Sequence, residues 1–369
     1  MNISIIGIGR LGLCLALCFE KAGYRVLGMD LRENYVNELN NKTFKTSEPK
    51  VNEYLKNSTK FYATTSLENT LNYSDKIYIL VDTPNGGGDN FYDHSKLSNL
   101  LSTINNYKIK NKTIIICCTV MPGYCKNISY SLLDKCEGIT IAYSPEFIAQ
   151  GNIINGLINP DVILMGCENK IKGNELIEIY KKICYNDNNP SILLGLLEAE
   201  ITKIGVNGFI TTKISYANMI GDACVNSGAD PKSVLEAIGM DSRIGNKYFK
   251  YGYSFGGPCF PRDTRALSLW INNQGISPII SDSAGKYNNY HIYFQAEKLL
   301  LENKDEYIIE DIAFKSNTNV PIIEESAKLK IAKYLVKKGK RVIIKDNSTN
   351  LLEVKKEYGN MFIYQKKDV

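Results

Sequence analysis

The sequence is poor in the residues that most protein metal sites need. It has only two histidines in 369 residues, His94 and His291, and they lie far apart without a shared motif. Its ten cysteines are irregularly spaced and include no C-x-x-C pair. Structural zinc sites take four Cys or His ligands, usually supplied by such closely spaced pairs. We therefore predict no metal site, and neither histidine is a good candidate for catalysis.

The sequence also lacks long apolar runs and blocks of one charge. No run reaches the roughly 20 apolar residues of a membrane-spanning helix. The net charge of +5 is dispersed, with no basic tail of the kind that binds nucleic acid. Residues 2–7 form an apolar strand pattern that enters a glycine turn, unlike a signal peptide. We expect a cytoplasmic protein with reduced thiols and no membrane or nucleic-acid partner.

What the chain does contain begins directly after its first strand. A G-x-G-x-x-G turn at residues 7–12 precedes a helical run, and the second strand then ends at Asp30. The glycines let a pyrophosphate approach the helix N-terminus, and the acid can accept both ribose hydroxyls. This favours NAD over its 2′-phosphorylated form, although Arg32 could soften the preference. The predicted cofactor residues here are Gly7, Gly9, Arg10, Leu11, Gly12 and Asp30.

Further apolar strands alternate with helical segments near residues 76–81, 113–118, 139–143 and 162–165. This alternation is typical of a parallel sheet covered by helices on both faces. Ligands bind such sheets at the carboxyl ends of the strands. The residues found there are Asp82-Thr83-Pro84, Thr119-Val120-Met121-Pro122-Gly123 and Ser144-Pro145-Glu146-Phe147.

The pattern changes at Leu196, where a long proline-free helical segment begins. Lys203 and Asn207 are four residues apart and share one face of that helix. A smaller α/β pattern returns near the end of the chain. We predict an α/β protein with a Rossmann domain over residues 1–192, a central helical domain over 193–295 and a short Rossmann-like domain over 296–369.

The central region contains a glycine- and proline-rich loop, residues 254–263, with one cysteine. Cys259 follows a glycine pair and Pro258 and precedes Arg262 and Asp263. A lone cysteine in such a loop is more often a buried packing residue than a nucleophile. The loop alone therefore favours a structural thiol, and only the motifs elsewhere in the chain argue for catalysis.

Together these motifs resemble the UDP-glucose/GDP-mannose dehydrogenase family over about residues 1–345. The resemblance also draws on Arg243-Ile244-Gly245 and Ala313-Phe314-Lys315. It implies an enzyme that oxidises the C6 alcohol of a nucleotide-linked hexose to a carboxylate with two NAD⁺. The expected reaction is UDP-glucose to UDP-glucuronate, in a homodimer built on the long central helix.

The resemblance also implies roles for individual residues. Cys259 would add to the aldehyde left by the first oxidation, and the second oxidation would then leave a thioester. Asp263, with a water near Lys203, would be the base of the first oxidation. Glu146, with Thr119, would activate water for thioester hydrolysis. Lys203 and Asn207 would stabilise the oxyanions, and Lys203 would favour the Cys259 thiolate.

Binding roles follow from the same resemblance. The implied cofactor contacts beyond the glycine turn are Thr83, Thr119, Glu146 and Arg262. The implied substrate contacts are Phe147, Lys203, Asn207, Arg243, Tyr248, Phe255, Gly256 and Lys315. Among these, Arg243 would reach the sugar bound by the neighbouring subunit.

Three departures from the family pattern keep alternatives open. Arg262 replaces a lysine, Ile148-Ala149-Gln150 lacks the usual charges, and residues 318–326 lack an arginine. The substrate could therefore be a UDP-N-acetylhexosamine or GDP-mannose, or the protein could be an inactive nucleotide-sugar-binding regulator. A two-electron 3-hydroxyacid dehydrogenase would leave the Cys259 loop unexplained.

Overall fold

The computed structural model of the chain describes residues 1–84, 92–148, 151–186, 189–313 and 322–367. The chain divides into two compact units, Met1–Lys203 and Ile204–Val369. Several residues considered above lie outside the described ranges: Ala149 and Gln150, Phe314 with the predicted substrate residue Lys315, and residues 318–321. Among the helices of the described ranges, none combines the length and apolar character needed to cross a bilayer.

The first unit is built on one eight-stranded sheet with the order β3-β2-β1-β4-β5-β6-β7-β8. Its strands run parallel, except that β6 and β7 are antiparallel. The strands are β1 Asn2–Ile6, β2 Arg25–Met29, β3 Phe61–Thr64, β4 Lys76–Ile79, β5 Thr113–Ile116, β6 Thr140–Tyr143, β7 Ile163–Cys167 and β8 Ser191–Leu194.

Helices cover both faces of this sheet, as continuous apolar strands require. They are α1 Arg10–Lys21, α2 Glu33–Asn40, α3 Val51–Asn57, α4 Leu67–Tyr73, α5 Ser95–Asn106, α6 Tyr130–Leu132, α7 Ile153–Ile158 and α8 Lys170–Lys181, with a short π-helix at Tyr124–Ser129. The predicted doubly wound α/β fold is confirmed. Separate buried clusters lie on the two faces, one around Ile3, Ile5 and Phe19 and the other around Ile6, Ile77 and Ile114.

Two details of the sheet differ from the sequence-based expectation. The strands β7 and β8 run antiparallel to the other six. This follows because β7 pairs with β6 in the antiparallel direction and β8 pairs with β7 in the parallel direction. The short strands β3 and β8 were not predicted. Each has only four residues, and β8 is half-exposed, so neither shows a long apolar run.

The second unit contains most of the 32-residue helix α9, Leu196–Ser227, and a three-stranded sheet of order β11-β10-β9. Its remaining elements are α10 Pro231–Gly239, α11 Phe260–Asn273, α12 Ile279–Leu300, β9 Glu306–Glu310, α13 Ala327–Lys337, β10 Arg341–Asp346, α14 Ser348–Tyr358 and β11 Ile363–Lys366. Local signals explain several helix starts: Asp230, Ser326 and Asn347 each cap the first amides of the helix that follows.

One helix in this unit begins inside the predicted loop of residues 254–263. It is α11, which starts at Phe260 with Cys259 as its N-cap. Pro261 sits in the first turn, where its missing N–H would have had no helical partner in any case. The cysteine therefore lies at a helix N-terminus and not within an extended loop.

The helix α9 reverses the usual arrangement of polar and apolar faces. A stripe of polar side chains at three- and four-residue spacing is buried, namely Glu200, Lys203, Asn207, Thr211, Ser215, Asn218 and Asp222. Apolar side chains on the same helix are exposed, among them Val206, Phe209, Tyr216 and Met219. Buried polar groups need hydrogen-bonding partners, so this stripe determines much of the local structure around it.

Candidate active site

The glycine turn after β1 has the shape of a phosphate cradle. A Cβ on Gly12 would lie 2.1 Å from the carbonyl oxygen of Gly7, so the turn and α1 approach each other too closely for a side chain. Gly7 has a φ of +91°, which favours glycine. A Cβ on Gly9, in contrast, would meet no atom within 4 Å. The open space at this helix N-terminus fits a pyrophosphate.

The acid at the end of β2 is held in place by an arginine. Arg32 Nε donates to Asp30 Oδ1 at 2.8 Å, and Arg32 Nη2 donates to Oδ2 at 2.9 Å. Although burial of Asp30 opposes ionisation, its hydrogen bonds to Arg32 leave the pKa of the carboxyl below its ordinary value. The guanidinium also stacks on Tyr35, 4.2 Å from the ring centroid. A carboxylate has about four lone-pair sites, so Asp30 keeps capacity for ribose hydroxyls.

The predicted residues Thr83 and Thr119 meet at the carboxyl edge of the sheet. Thr83 Oγ1 donates to the carbonyl oxygen of Thr119 at 2.8 Å, and Thr83 is buried. The loop after β5 is also held by His94, whose Nε2 accepts from Met121 N at 3.3 Å. Burial lowers the pKa of His94 to about 4, so this ring is neutral and can accept. His94 therefore orders the loop.

Glu146 and Lys203 also lie together in the first unit. Lys203 is buried, and its Nζ donates to the backbone carbonyl of Glu146 at 2.7 Å and lies 4.7 Å from the ring centroid of Phe147. Glu146 Oε2 accepts from Tyr180 Oη at 2.7 Å. Oε1 is buried without a hydrogen-bonding partner among the described residues. An oxygen in that position can accept from a bound water.

Burial of the Glu146 carboxylate has a chemical consequence. Desolvation raises the pKa of Glu146 to about 7, although Tyr180 and Lys203 oppose the shift. A carboxylate with a pKa near neutrality is a better proton acceptor than an exposed one, which makes it suited to general base catalysis. The sequence predicted Glu146 but gave no sign of Tyr180, which lies 34 residues away on α8.

A second residue missed from the sequence supports the loop that follows Thr119. Glu200 is fully buried on α9, and its two carboxylate oxygens accept from Gly123 N at 2.6 Å and Cys125 N at 2.7 Å. Its position three residues before Lys203 on the same helix was the available signal. Glu200 therefore fixes the backbone next to the predicted active-site loop.

In the second unit, Asn207 and Asp263 form a buried pair. Asn207 Nδ2 donates to Asp263 Oδ2 at 2.6 Å, and Arg262 Nε donates to Oδ1 at 3.1 Å. The Asp263 side chain is fully buried. Lys203, the last residue of the first unit, precedes Asn207 by one turn of α9. Asn207 and Arg262, two of the predicted catalytic and cofactor residues, are thus brought together at the Asp263 carboxylate.

Cys259 is exposed, in contrast to the other cysteines. All ten cysteines lie in described ranges and none forms a disulfide; eight are buried and Cys136 is half-buried. The positive end of a helix dipole stabilises an anion, and Cys259 occupies that end of α11. The structural interpretation, a buried packing thiol, is therefore wrong for this residue. An exposed thiol at a helix N-terminus is available for nucleophilic addition.

The predicted substrate residues differ in how far they are exposed to solvent. Phe255 and Gly256 are buried just before Cys259, and Tyr248 is exposed with a φ of +59°. Gly256 lies against the backbone, since a Cβ there would be 2.4 Å from the Glu325 carbonyl oxygen. Arg243 is exposed and forms a bidentate pair with Asp241, at 3.0 Å and 2.7 Å.

Comparison with known proteins decides the family. The model of the NAD binding domain of the UDP-glucose/GDP-mannose dehydrogenase family matches residues 1–184, and the model of the family's central domain matches residues 197–290. The chain belongs to the UDP-glucose/GDP-mannose dehydrogenase family. The predictions of an NAD cofactor and of a nucleotide-sugar dehydrogenase are confirmed at this level. The geometry of the glycine turn, taken independently of these matches, also fits that cofactor.

Curated relatives span most of this chain. A UDP-glucose 6-dehydrogenase from Rickettsia bellii is 30% identical over 357 residues, which is 92% of this chain and 79% of that protein. One from Rickettsia conorii is 32% identical, covering 78% of this chain and 66% of that protein. Among solved structures, a UDP-glucose dehydrogenase from Pyrobaculum islandicum has a TM-score of 0.90 at 27% identity, covering 99% of this chain and 86% of that chain.

A matched pair of glycine variants tests the cradle. Gly9→Ala should keep the fold but weaken NAD⁺ binding at least about tenfold, because its methyl group enters space next to the phosphate-binding amides. Gly12→Ala should instead lower the free energy of unfolding by about 1–3 kcal/mol through overpacking. Calorimetric titration with NAD⁺ and thermal unfolding separate the two effects. Wild-type NAD⁺ affinity in Gly9→Ala would contradict this placement of the pyrophosphate.

A second prediction concerns the proton affinity of Glu146. If its carboxylate acts as a base, the rate should rise with pH through about 7, where Glu146 loses its proton. Tyr180→Phe removes a hydrogen bond that favours the ionised form, so the pKa of Glu146 should rise further. The rising limb of the pH–rate profile should then move up by on the order of one pH unit. An unchanged limb would show that Tyr180 does not tune the catalytic base.

Proposed function

We propose that this enzyme oxidises the C6 hydroxyl of UDP-glucose to the carboxylate of UDP-glucuronate. One alcohol, two NAD⁺ and one water give one carboxylate, two NADH and three protons. The observation that carries the proposal is the exposed Cys259 at the start of α11, since its thiol can supply the nucleophile that must add to the aldehyde before a second hydride can leave. The curated relatives named UDP-glucose 6-dehydrogenase support this choice of substrate.

The first oxidation requires a base for the C6 hydroxyl proton. Bound NAD⁺ supplies the hydride acceptor in each of the two oxidations. We assign the base to Asp263 acting through a water near Lys203, with Asn207 orienting the carboxylate from 2.6 Å. Because both Asp263 oxygens accept hydrogen bonds from neighbours, a relayed proton transfer suits it better than direct contact with the hydroxyl.

The second oxidation passes through Cys259. Its thiolate adds to the C6 carbonyl and forms a thiohemiacetal, whose oxyanion is stabilised by Lys203 and Asn207. Hydride loss from C6 then restores the carbonyl as a thioester. An aldehyde has no equivalent route unless a nucleophile first adds to its carbon, so the thiol makes the second hydride transfer possible.

Hydrolysis releases the product and restores the thiol. Glu146 takes a proton from water, which attacks the thioester carbonyl; the C–S bond breaks and the carboxylate leaves. The unpartnered Oε1 of Glu146 and its pKa of about 7 support this role. Thr119 lies on the neighbouring loop, held by Thr83. The remaining binding roles of Arg243, Tyr248, Phe255 and Gly256 belong to the same proposal.

We also propose a homodimer built on α9, in a cytoplasmic enzyme. Val206, Phe209, Tyr216 and Met219 recur along one face of this helix, and Phe209 is 67% exposed. A second copy of the chain would remove this apolar stripe from water. The exposed Arg243 is then available to reach the neighbouring subunit. Ten reduced cysteines suit a reducing compartment such as the cytoplasm.

A substrate panel with a cysteine variant tests the reaction. The wild type should form two NADH per UDP-glucose, whereas Cys259→Ser should lose acid formation by at least about a thousandfold, because serine is a far weaker nucleophile near neutral pH. Cys136→Ser, on the half-buried cysteine, is the control and should keep the wild-type rate.

Other results from the panel point to the alternatives. Two NADH with GDP-mannose or a UDP-N-acetylhexosamine but not with UDP-glucose would change the substrate; a GDP-mannose 6-dehydrogenase from Pseudomonas syringae is 25% identical over 96% of this chain. Thermal stabilisation by nucleotide sugars without turnover would identify a binding regulator. An unchanged rate in Cys259→Ser would remove the thioester route.

The dimer has its own test. Phe209→Glu places a charge within the exposed apolar stripe, so it should convert the dimer into a monomer with little loss of monomer stability. Sedimentation equilibrium measures the mass, and Tyr185→Glu, at an exposed site on the other unit, is the control. A wild-type chain that sediments as a monomer would contradict the proposal.

A further inference from the structure

The segment that leads into the active-site thiol is largely buried, yet it has no regular secondary structure. It runs from Tyr251 to Gly257, just before Cys259. Backbone groups in such a segment need partners outside a helix or sheet. Here several come from side chains of α9 and α12, and Gly257 N donates to the Glu324 carbonyl oxygen, so the path of the segment depends on a few polar contacts.

Two asparagines supply several of these partners. Asn218 Oδ1 on α9 accepts from Gly252 N at 3.1 Å. On α12, Asn288 Oδ1 accepts from Phe255 N at 2.8 Å, and Asn288 Nδ2 donates to the Phe255 carbonyl oxygen at 3.0 Å. Both asparagines are buried, so water does not compete freely for these hydrogen bonds. They fix the segment at two points.

A buried acid and histidine hold a third point. His291 has no exposed surface, and its Nδ1 lies 2.8 Å from Asp222 Oδ2 while its Nε2 lies 2.7 Å from the Gly252 carbonyl oxygen. Both neighbours of the ring are acceptors. A neutral imidazole has only one N–H, so its other nitrogen would face an oxygen with no proton between them. The geometry requires a proton at each nitrogen, shared on one side with Asp222.

The surroundings of the pair favour this charge state. Tyr251 Oη and Tyr287 Oη donate to the two oxygens of Asp222 at 2.9 Å and 2.7 Å. Burial, reinforced by the Asp222 carboxylate, raises the pKa of both phenols well above the usual value, so both remain donors. Gln295 Nε2 also donates to the Gly252 carbonyl, at 3.1 Å. Asp222 thus accepts from two phenols and presents an acceptor to the ring.

The packing leaves little freedom for the ring of Tyr251. A Cβ on Gly221 would lie 1.9 Å from Tyr251 Cδ2, so the ring rests directly on the α9 backbone. The same ring makes an edge contact with His291, with centroids 5.6 Å apart. On its other side His291 stacks near Phe294 at 6.4 Å. The imidazole is enclosed by α9, α12 and the segment itself.

We propose that His291 is a positioning residue of this enzyme. Its imidazolium, anchored by Asp222, holds the carbonyl of Gly252 and thereby fixes the segment that brings Phe255 and Gly256 to Cys259. Loss of the proton would leave an imidazole nitrogen facing an oxygen and would loosen the segment at Gly252. The effect on the segment stands by itself, whereas the effect on catalysis rests on the proposed function.

The charge state can be measured on the wild-type protein. The chain has only two histidines, so ¹⁵N-histidine labelling gives two sets of ring resonances. At neutral pH one set should show an imidazolium, and His291→Gln should remove it. The other should show a neutral ring, because the pKa of His94 is lowered to about 4. Two neutral rings at neutral pH would overturn the proposal.

The positioning role is tested by hydrogen exchange and kinetics. In His291→Gln, the amides of Gly252, Phe255 and Gly257 should exchange at least about tenfold faster, because a charged donor to Gly252 is lost. The KM for nucleotide sugar should rise similarly while NAD⁺ affinity stays unchanged. Tyr334→Phe removes a phenol contact with Glu297 on α12 and serves as the control, with wild-type behaviour expected. Unchanged exchange in His291→Gln would overturn the proposal.

A second variant separates this role from a merely structural one. Asp222→Asn removes the carboxylate that faces His291 Nδ1 at 2.8 Å, so the imidazolium signal should be lost. The KM for nucleotide sugar should then rise as it does in His291→Gln, while NAD⁺ affinity stays unchanged. Loss of the signal without a rise in KM would overturn the catalytic part of the proposal. If no nucleotide sugar is oxidised, the proposed function fails, while labelling and exchange still decide the state of His291.

Discussion

The structure depends on one constraint: polar side chains buried on a long helix must each find a partner. Along α9 the stripe from Glu200 to Asp222 is buried at three- and four-residue spacing. Glu200 and Lys203 are satisfied within the first unit, by backbone amides and by the Glu146 carbonyl. Asn207, Asn218 and Asp222 are satisfied within the second. Since an unsatisfied buried group costs about 1–3 kcal/mol, these side chains fix the loops that they contact.

The same constraint links stability to chemistry. The partners of the stripe are the loop after Thr119, the backbone at Glu146, the Asp263 carboxylate and the segment before Cys259. These are the parts of the chain to which the catalytic roles are assigned. Within each unit, α9 thus sets the positions of groups that lie far apart in the sequence, and the apolar side chains on its other face are exposed.

Burial also distinguishes the two reactive groups. Desolvation of the Glu146 carboxylate raises its pKa to about 7 and makes it a base at neutral pH. Cys259 is instead exposed at a helix N-terminus, where a thiolate is stabilised and a carbonyl can approach. Opposite environments therefore suit the two residues to the different tasks proposed for them, proton removal from water and addition to carbon.

Much of this could be predicted from residues that are close together in the sequence. The glycine turn, the acid after the second strand and the ordered motifs up to Asp263 determined the fold class, the cofactor and the family, because each depends on local backbone chemistry. The exposure of Cys259 could not be read from its sequence, since residues 254–263 were predicted as a loop and α11 starts within them. The boundaries of short strands and the reversal of β7 also lay beyond the local pattern.

The sequence by itself determined which chemistry the chain carries, since glycines, acids and a thiol in a fixed order specify it. Only the tertiary structure decided how those groups are tuned. Tyr180 reaches Glu146 across 34 residues, and His291 reaches Asp222 across 69. Such contacts leave no local pattern, because they arise when separate helices and loops bury polar groups against one another. Their burial sets the proton affinity of Glu146 and places two oxygen acceptors around the ring of His291.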